Sequence, residues 1–231
     1  MFLNPESYNQ NSELQKQIAR DLVNFVIQNF KFEPNSHIKC LDIGCGTGFV
    51  GQSLLKQNPN IELWQIDSSK AMCDFAKKIS QNTLQHNIQN PLPFPPESFD
   101  VITSSMTLQW ISQHDTHNVI RSITSNLKQD GVFIFAVPLD SSLNELQKAF
   151  QKCNLPSPIV PFPRYENILH TREYTEHGTI LQILKRMNKI GAKNKNYHHH
   201  LSNMNFKMLE AKFSGQVTWQ IGFAKYINNQ I

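Results

Sequence analysis

Leu41-Asp42-Ile43-Gly44-Cys45-Gly46-Thr47-Gly48-Phe49 is the stretch on which the fold turns. A short apolar run from His37 to Ile43 ends in closely spaced glycines, and a helical pattern over Phe49–Gln57 follows at once. Glycine in such a turn tolerates positive φ and lets a ligand approach the backbone. The helix behind it presents N–H groups with no partner inside the helix. Asp67 follows nineteen residues after Gly48, at the end of a second apolar run, Ile61–Ile66, where a carboxylate can accept hydrogen bonds from two ribose hydroxyls.

Outward from that turn, strand and helix patterns alternate. Ser12–Phe30 repeats Leu14, Ile18, Leu22, Phe25 and Val26 at a helical period. Ser69–Ile79 and His114–Leu127 read as helices, Phe99–Thr103 and Gly131–Val137 as strands. Apolar runs separated by helices predict a parallel sheet with crossover helices, a doubly wound α/β core. Beyond Pro138 the order loosens. A helix is expected over Ser141–Lys152, a proline-rich stretch from Pro156 to Pro163, a strand over Glu166–Tyr174, a helix over Glu176–Ile190, polar loop over Lys193–Asn205 and a closing strand over Gln216–Tyr226. The expectation is one domain over 1–231. It comprises an N-terminal helical cap (1–30), a cofactor-binding half (38–137), and a part with a lid-like insertion and closing strands (138–231).

The 231 residues carry 22 Lys/Arg and 18 Asp/Glu, a net of +4. Residues 1–115 hold 8 basic and 11 acidic side chains, so the excess of positive charge lies entirely in the second half. This composition excludes collagenous, coiled-coil and wholly disordered chains. No run approaches the roughly 18 apolar residues of a membrane span, and Met1–Gln10 lacks the pattern of a signal peptide, so a cytoplasmic protein without a membrane partner is expected. Cys40, Cys45, Cys73 and Cys153 show neither disulfide nor zinc spacing. The adjacent His198-His199-His200 cannot easily converge on one ion, so no metal is expected.

Two cofactor classes compete for the turn. Gly46-x-Gly48-x-x-Gly51 matches the dinucleotide fingerprint, and Asp67 stands at a suitable distance for it. Asp42, two residues before Gly44, would however set a negative charge beside a pyrophosphate. A carboxylate there suits S-adenosylmethionine, which has no phosphate and carries a sulfonium and an amino group. A glycine turn without any ligand is the plain alternative, and the strand–turn–helix context weighs against it.

The Asp-Ile-Gly-Cys-Gly-Thr-Gly segment resembles the signature of class I S-adenosylmethionine-dependent methyltransferases. Asp67-Ser68-Ser69-x-x-Met72, Leu92-Pro93-Phe94 with Ser98-Phe99-Asp100-Val101-Ile102, and Leu127-Lys128-x-x-Gly131 resemble that family's later motifs. Less common stretches narrow the likeness. Tyr8 with Leu14-Gln15, Ser105-Met106-Thr107-Leu108-Gln109-Trp110, Ser141-Ser142-Leu143-x-Glu145-Leu146, Lys189-Ile190-Gly191-Ala192 and Thr218-Trp219-Gln220-x-Gly222-x-Ala224 are together similar to the malonyl-acyl-carrier-protein O-methyltransferases of biotin synthesis. Asn87 stands where many relatives carry Asp against the adenine amine, and its side-chain carbonyl can accept the same hydrogen bond.

The resemblance implies a Rossmann-like sheet, mostly parallel and seven-stranded, with an antiparallel last strand. It implies methyl transfer from S-adenosylmethionine, leaving S-adenosylhomocysteine, to the free carboxylate of malonyl carried on acyl carrier protein or coenzyme A. That carboxylate is ionised near neutral pH and needs no general base. Asp42, Gly44, Cys45, Gly46 and Gly48 would shape the methionine end of the site, and Asp67 would hold ribose. Ser68, Met72, Asn87 and Ile88 would lie near adenine, and Ser104 and Ser105 would face the sulfonium. Tyr8 would close over the pocket, with Gln109, Trp110 and Arg121 toward the substrate, although a solvated helix position is an equal reading of Arg121. Lys185, Arg186, Lys189, Lys193 and Lys195 would form a docking face for an acidic carrier, with a solvated helix face as the alternative. No nucleic-acid partner is expected, since no Arg/aromatic motif accompanies the charge. A monomer is expected. The alternatives are another small-molecule class I methyltransferase and a non-catalytic cofactor-binding or interaction protein of the same fold.

Overall fold

The computed structural model describes residues 4–32, 36–159, 161–190 and 202–228. The N-terminal part runs α1 (Pro5–Asn11), α2 (Glu13–Asn29), β1 (Lys39–Ile43), α3 (Phe49–Gln57), β2 (Glu62–Asp67), α4 (Lys70–Ala76) and β3 (Thr83–Gln85). It continues through β4 (Phe99–Ser105), a single 3-10 turn at Leu108–Trp110, α5 (Thr116–Thr124) and β5 (Leu127–Pro138). The chain then forms α6 (Asn144–Lys152), β6 (Ile168–His177), α7 (Ile180–Lys189), α8 (Asn203–Lys212) and β7 (Gln216–Ile227).

The seven strands form one sheet in the order β3-β2-β1-β4-β5-β7-β6. β1 pairs parallel with β2 and β4, β2 with β3 and β4 with β5; β7 runs antiparallel to both β5 and β6. The expected mostly parallel sheet with an antiparallel last strand is borne out. Side chains alternate across each strand. Cys40, Leu63, Val101, Val132 and Ile134 thus join the core under α2, α3 and α6, while Leu41, Ile43, Ile66, Ile102, Phe133 and Phe135 join the one under α5. Burial on both faces is why these runs contain so few polar residues. After β1 the chain turns toward β2, and after β3 it returns to the other side of β1 to form β4. A crevice opens at the carboxyl ends of β1 and β4, where open α/β sheets bind ligands.

The structure departs from the sequence expectations in several elements; α7, for one, begins at Ile180 rather than Glu176, because β6 runs on to His177. α1, β3 and α8 were not anticipated. α8 begins at Asn203, capped by Ser202, inside the stretch expected as loop, and residues 193–201 of that loop, with the three histidines, lie outside the described residues. β5 begins four residues before its expected start. The Leu127-Lys128-x-x-Gly131 stretch is a kink within that strand, with Asp130 at φ 61° and the pairing with β4 shifting between Phe99 and Val101. A Cβ at Gly131 would stand 2.9 Å from the Lys128 carbonyl and 3.0 Å from that of Phe99, so a side chain has no room there.

Two of the less common sequence stretches meet at the β5 exit. The Glu145 carboxylate accepts from the Thr218 N–H (3.2 Å) and hydroxyl (2.6 Å). The Ser142 hydroxyl donates to the Gln220 carbonyl and accepts from the Gln220 N–H, both at 3.0 Å. Leu143 between them is fully buried in the left-handed region (φ 60°), and its N–H donates to the Thr218 carbonyl at 2.7 Å. A branched residue at positive φ is costly and persists only where its surroundings hold it. Here burial and three strand contacts do so, fixing α6 to β7.

Candidate functional site

The turn after β1 is shaped by its neighbours. Gly44, Gly46 and Gly48 have φ of 66°, 54° and 89°, all in the left-handed region. A Cβ on Gly44 would lie 2.2 Å from the Thr107 hydroxyl oxygen, and one on Gly48 would lie 2.4 Å from Ile79 Cδ1. Gly51, in α3, is glycine because Gln65 and Leu63 of β2 press to 2.7 and 2.8 Å. Gly46 is different. Its nearest neighbour would be the edge of the Tyr8 ring at 3.8 Å, so its bare backbone is not accounted for by packing. Thr107 secures the turn from the β4 side, with its hydroxyl 3.2 Å from the Gly44 carbonyl and 3.1 Å from that of Ser105.

Beneath the turn, Asp42, Gln65 and Thr103 form a polar row across β1, β2 and β4, with Asp42 in register with both of the others. All three are buried. The Thr103 hydroxyl donates to Asp42 Oδ1 at 3.3 Å. The Gln65 amide and the Gly51 N–H stand beside the Asp42 carboxyl group, yet neither Asp42 Oδ2 nor Gln65 Nε2 completes a hydrogen bond. Burial first, and then the negative charge of Asp67, push the Asp42 carboxyl up to about 7, against the opposing bond from Thr103. Asp67 closes β2 and accepts from the Gly46 N–H (2.9 Å) through Oδ2 and from the Ser69 N–H (2.8 Å) through Oδ1. Burial raises its carboxyl as well. Two carboxylates held with raised pKa in a buried setting favour a cation beside them.

Tyr8 reaches this place from α1. Asn4 caps that helix by accepting from the Ser7 N–H, and Pro5 takes its first position. α1 has no fully buried residue and is held by its contacts. Tyr8 stacks on Phe49 with ring centroids 6.0 Å apart, the Thr47 hydroxyl donates to Asn9 Oδ1 at 3.3 Å, and the Lys189 ammonium donates to Asn11 Oδ1 at 3.1 Å. Burial pushes the Tyr8 phenol up to about 12, so it stays a neutral donor near pH 7.

The other sequence-predicted residues divide. Cys45 is buried behind the turn, where burial raises its thiol. Ser68 is exposed, and its carbonyl accepts from Gln85. Met72 and Ile88 are buried side chains near the same edge of the sheet. Asn87 is exposed, and its side-chain carbonyl already accepts from the Gln89 N–H at 3.1 Å. Ser104 is fully buried, with its hydroxyl donated to the Ile43 carbonyl at 3.0 Å, whereas Ser105 is half-buried at the β4 exit. Met106 follows at φ 54°, a strained position at the mouth of the crevice. Gln109 and Trp110 lie in the 3-10 turn just beyond; Gln109 Oε1 is buried without a partner, and the Trp110 side chain is 46% exposed.

Arg121 is not brought to this site. Thr116, Val119, Ile120 and Ile123 form the buried stripe of α5, and Arg121 is exposed on the outer side of that helix. Of the basic docking candidates, Lys185 and Lys189 are exposed on α7. Arg186 turns inward, donating to the His177 carbonyl at 2.6 Å and pairing with Glu176 at 3.6 Å. Lys193 and Lys195 lie outside the described residues. Among the described residues no cluster of three metal-binding side chains occurs, and no helix is long and apolar enough to cross a membrane. Sequence reading missed Gln65, Thr103, Thr107 and Asn9. Gln65 alone carried a signal, as an uncharged polar residue inside an otherwise buried run.

Residues 41–135, from the end of β1 into β5, match the family described as "Methyltransferase domain". Within this chain that stretch is similar to a methyltransferase domain. A solved structure with the same fold, the YcgJ protein of Bacillus subtilis, superposes over 89% of this chain and 97% of its own length with a TM-score of 0.60 at 17% identity. The Rossmann-like architecture expected from the sequence, a mostly parallel seven-stranded sheet with an antiparallel last strand, is therefore observed. A curated relative, "Malonyl-[acyl-carrier protein] O-methyltransferase" of Bacillus anthracis, is 30% identical over 154 residues, covering 63% of this chain and 54% of that protein. A mitochondrial protein of Rattus norvegicus named "Arginine-hydroxylase NDUFAF5" is 32% identical over 119 residues, 48% of this chain and 32% of its own. The chain thus spans about half the length of the first of these relatives and a third of the second. The matched stretch 41–135 contains the turn, the polar row and the β4 exit.

Proposed function

We propose that this chain methylates the free carboxylate of a malonyl thioester, borne by an acyl carrier protein, with S-adenosylmethionine as donor. The observation that carries the cofactor assignment is the pair Asp42 and Asp67, two partly desolvated carboxylates beside the uncovered backbone of Gly46. Such a pair opposes a pyrophosphate and suits a sulfonium and an ammonium group. S-adenosylmethionine supplies a methyl group on a cationic sulfur that leaves as a neutral thioether. Asp42 and the Gly44–Gly48 turn would hold its amino-acid end and Asp67 its ribose. Ser68, Met72 and Ile88 would border the adenine, and Asn87 would serve there only after releasing its bond to Gln89.

The substrate assignment rests on the named relatives and on the less common stretches, two of which meet at the β5 exit. A malonyl carboxylate is already an anion near pH 7, which accounts for a site with no general base. The task of the protein is then orientation and removal of water from that anion. Tyr8, a neutral donor over the turn, and Gln109, with an unpaired buried oxygen, would position the acyl group; Trp110 and Ser105 would border it. Ser104 would hold β4 against β1 rather than touch the ligand. α7, with Lys185 and Lys189 exposed, would meet the acidic carrier.

A methyl-transfer assay comparing malonyl-carrier protein, malonyl-coenzyme A and free malonate tests this reading. Transfer to the carrier-borne malonyl group, at least tenfold more efficient than to malonate, is the expected result. Transfer to none of the three, with S-adenosylhomocysteine still bound, removes the substrate assignment and leaves another small acceptor for the same cofactor site.

A further inference from the structure

A second concavity lies outside the crevice, between α2, α3 and α4, with a volume of about 390 Å³. Lys16, Arg20, Lys56 and Lys78 line it. They are four of the eight basic side chains in residues 1–115, a half of the chain whose net charge is −3. Half of its cations converge on one hollow, against the sign of the surrounding sequence. Glu13 stands 3.6 Å from both Lys16 and Arg20, with its side chain 79% exposed. Lys56 and Lys78 have no acidic partner among the described residues.

The floor of the hollow is aromatic. The Lys16 ammonium lies 5.6 Å above the Phe49 ring, and that of Lys78 lies 4.4 Å above Phe75. Cations around half-buried rings offer charge to an anion and a flat surface to the body that carries it. The volume falls within the range of small-molecule sites, roughly 300–1,000 Å³. The charge is also opposite to that of the crevice, where Asp42 and Asp67 oppose an anion. The two sites therefore select different ligands, although they adjoin through Thr47, which lines the hollow and belongs to the glycine turn.

We propose that this hollow is a binding site for an organic phosphate: phosphate groups held by Lys56, Lys78, Lys16 and Arg20, with the attached body resting on Phe49 and Phe75. The site is independent of the methyl-transfer reading, since none of its four cations takes part in that reaction.

Calorimetry on the full chain, with the crevice filled by S-adenosylhomocysteine, tests the site with ATP, adenosine and tripolyphosphate. ATP binds more tightly than either adenosine or tripolyphosphate, and its affinity falls at least tenfold in Lys56→Glu/Lys78→Glu. That variant keeps the thermal midpoint and the S-adenosylhomocysteine affinity of the parent, which separates loss of the site from loss of the fold. Should the variant be unstable, the single Lys56→Gln and Lys78→Gln forms each weaken ATP several-fold. No ATP binding, equal binding by parent and variants, or adenosine matching ATP overturns the proposal. ATP failing while an acidic protein binds through the same lysines overturns it too and reassigns the hollow to a macromolecule.

Discussion

The turn after β1 and the junction after β5 are each built around a carboxylate, buried in Asp42 and half-buried in Glu145, and the two live in opposite circumstances. Glu145 spends both oxygens on Thr218, beside a reciprocal pair between Ser142 and Gln220. Asp42 has one weak bond from Thr103, an oxygen without a completed bond, and a second carboxylate in Asp67 whose charge opposes its own. A junction whose polar groups satisfy one another holds a fold together. A turn whose polar groups remain unsatisfied stores binding capacity for something else. On the proposed function, the rarer sequence motif serves architecture and the widespread one serves chemistry.

The comparison predicts where mutations will act. The largest effect is expected at Glu145→Ala, which leaves the Thr218 N–H and hydroxyl without their charged acceptor. It should cost about 2–3 kcal/mol, seen as a thermal midpoint lowered by roughly 4–10 °C, with S-adenosylhomocysteine affinity nearly unchanged in the folded fraction. A variant that loses binding but not stability would reverse the roles of the two regions.

Asp67→Asn removes the charge and keeps one acceptor oxygen, so one of the N–H groups of Gly46 and Ser69 loses its partner. It should weaken S-adenosylmethionine by about 1–3 kcal/mol in calorimetry and lower the midpoint less than Glu145→Ala does. Unchanged affinity would take Asp67 out of the cofactor site.

Asp42→Asn acts in the opposite direction on stability. A carboxyl with a folded pKa of about 7 against 3.8 unfolded binds its proton more tightly in the native state. Its cost to the fold is absent below about pH 4, grows as pH rises, and is complete above about pH 7. Asp42→Asn should therefore raise the midpoint at about pH 8 by a few degrees and leave it unaltered near pH 4, while weakening the cofactor. A lowered midpoint at both values would mean that Asp42 is satisfied in the fold after all. Arg121→Ala marks the small end of the scale: on the outer side of α5 it should change neither midpoint nor turnover, and a lost turnover would restore the sequence-based assignment.

These contrasts were only partly legible beforehand. The glycine turn announced itself because strand, glycines and helix follow one another locally, and Asp67 because a second strand ends at a fixed distance. The polar row was hidden, since Asp42, Gln65 and Thr103 meet only through register between strands up to 61 residues apart. Thr107 was hidden for the same reason. α1 buries no residue fully and α8 buries only Leu209, so neither shows the apolar stripe by which α2 is recognised. Two of the three residues of β3 are exposed, which removes its pattern. Arg121 is a different case. The Val119, Ile120 and Ile123 stripe places it on the far side of its helix, which is the solvated position that the sequence equally allowed.

The turn is proposed as a site for a cation, held by a carboxylate that must ionise to bind it. Calorimetry of S-adenosylmethionine at about pH 6 and about pH 8, in two buffers of different ionisation heat, tests it most directly. The account predicts an affinity about tenfold higher at the upper value, with close to one proton released on binding at the lower one, and no binding of NAD at either. Affinity independent of pH with no proton released, or NAD binding at the turn, would contradict it.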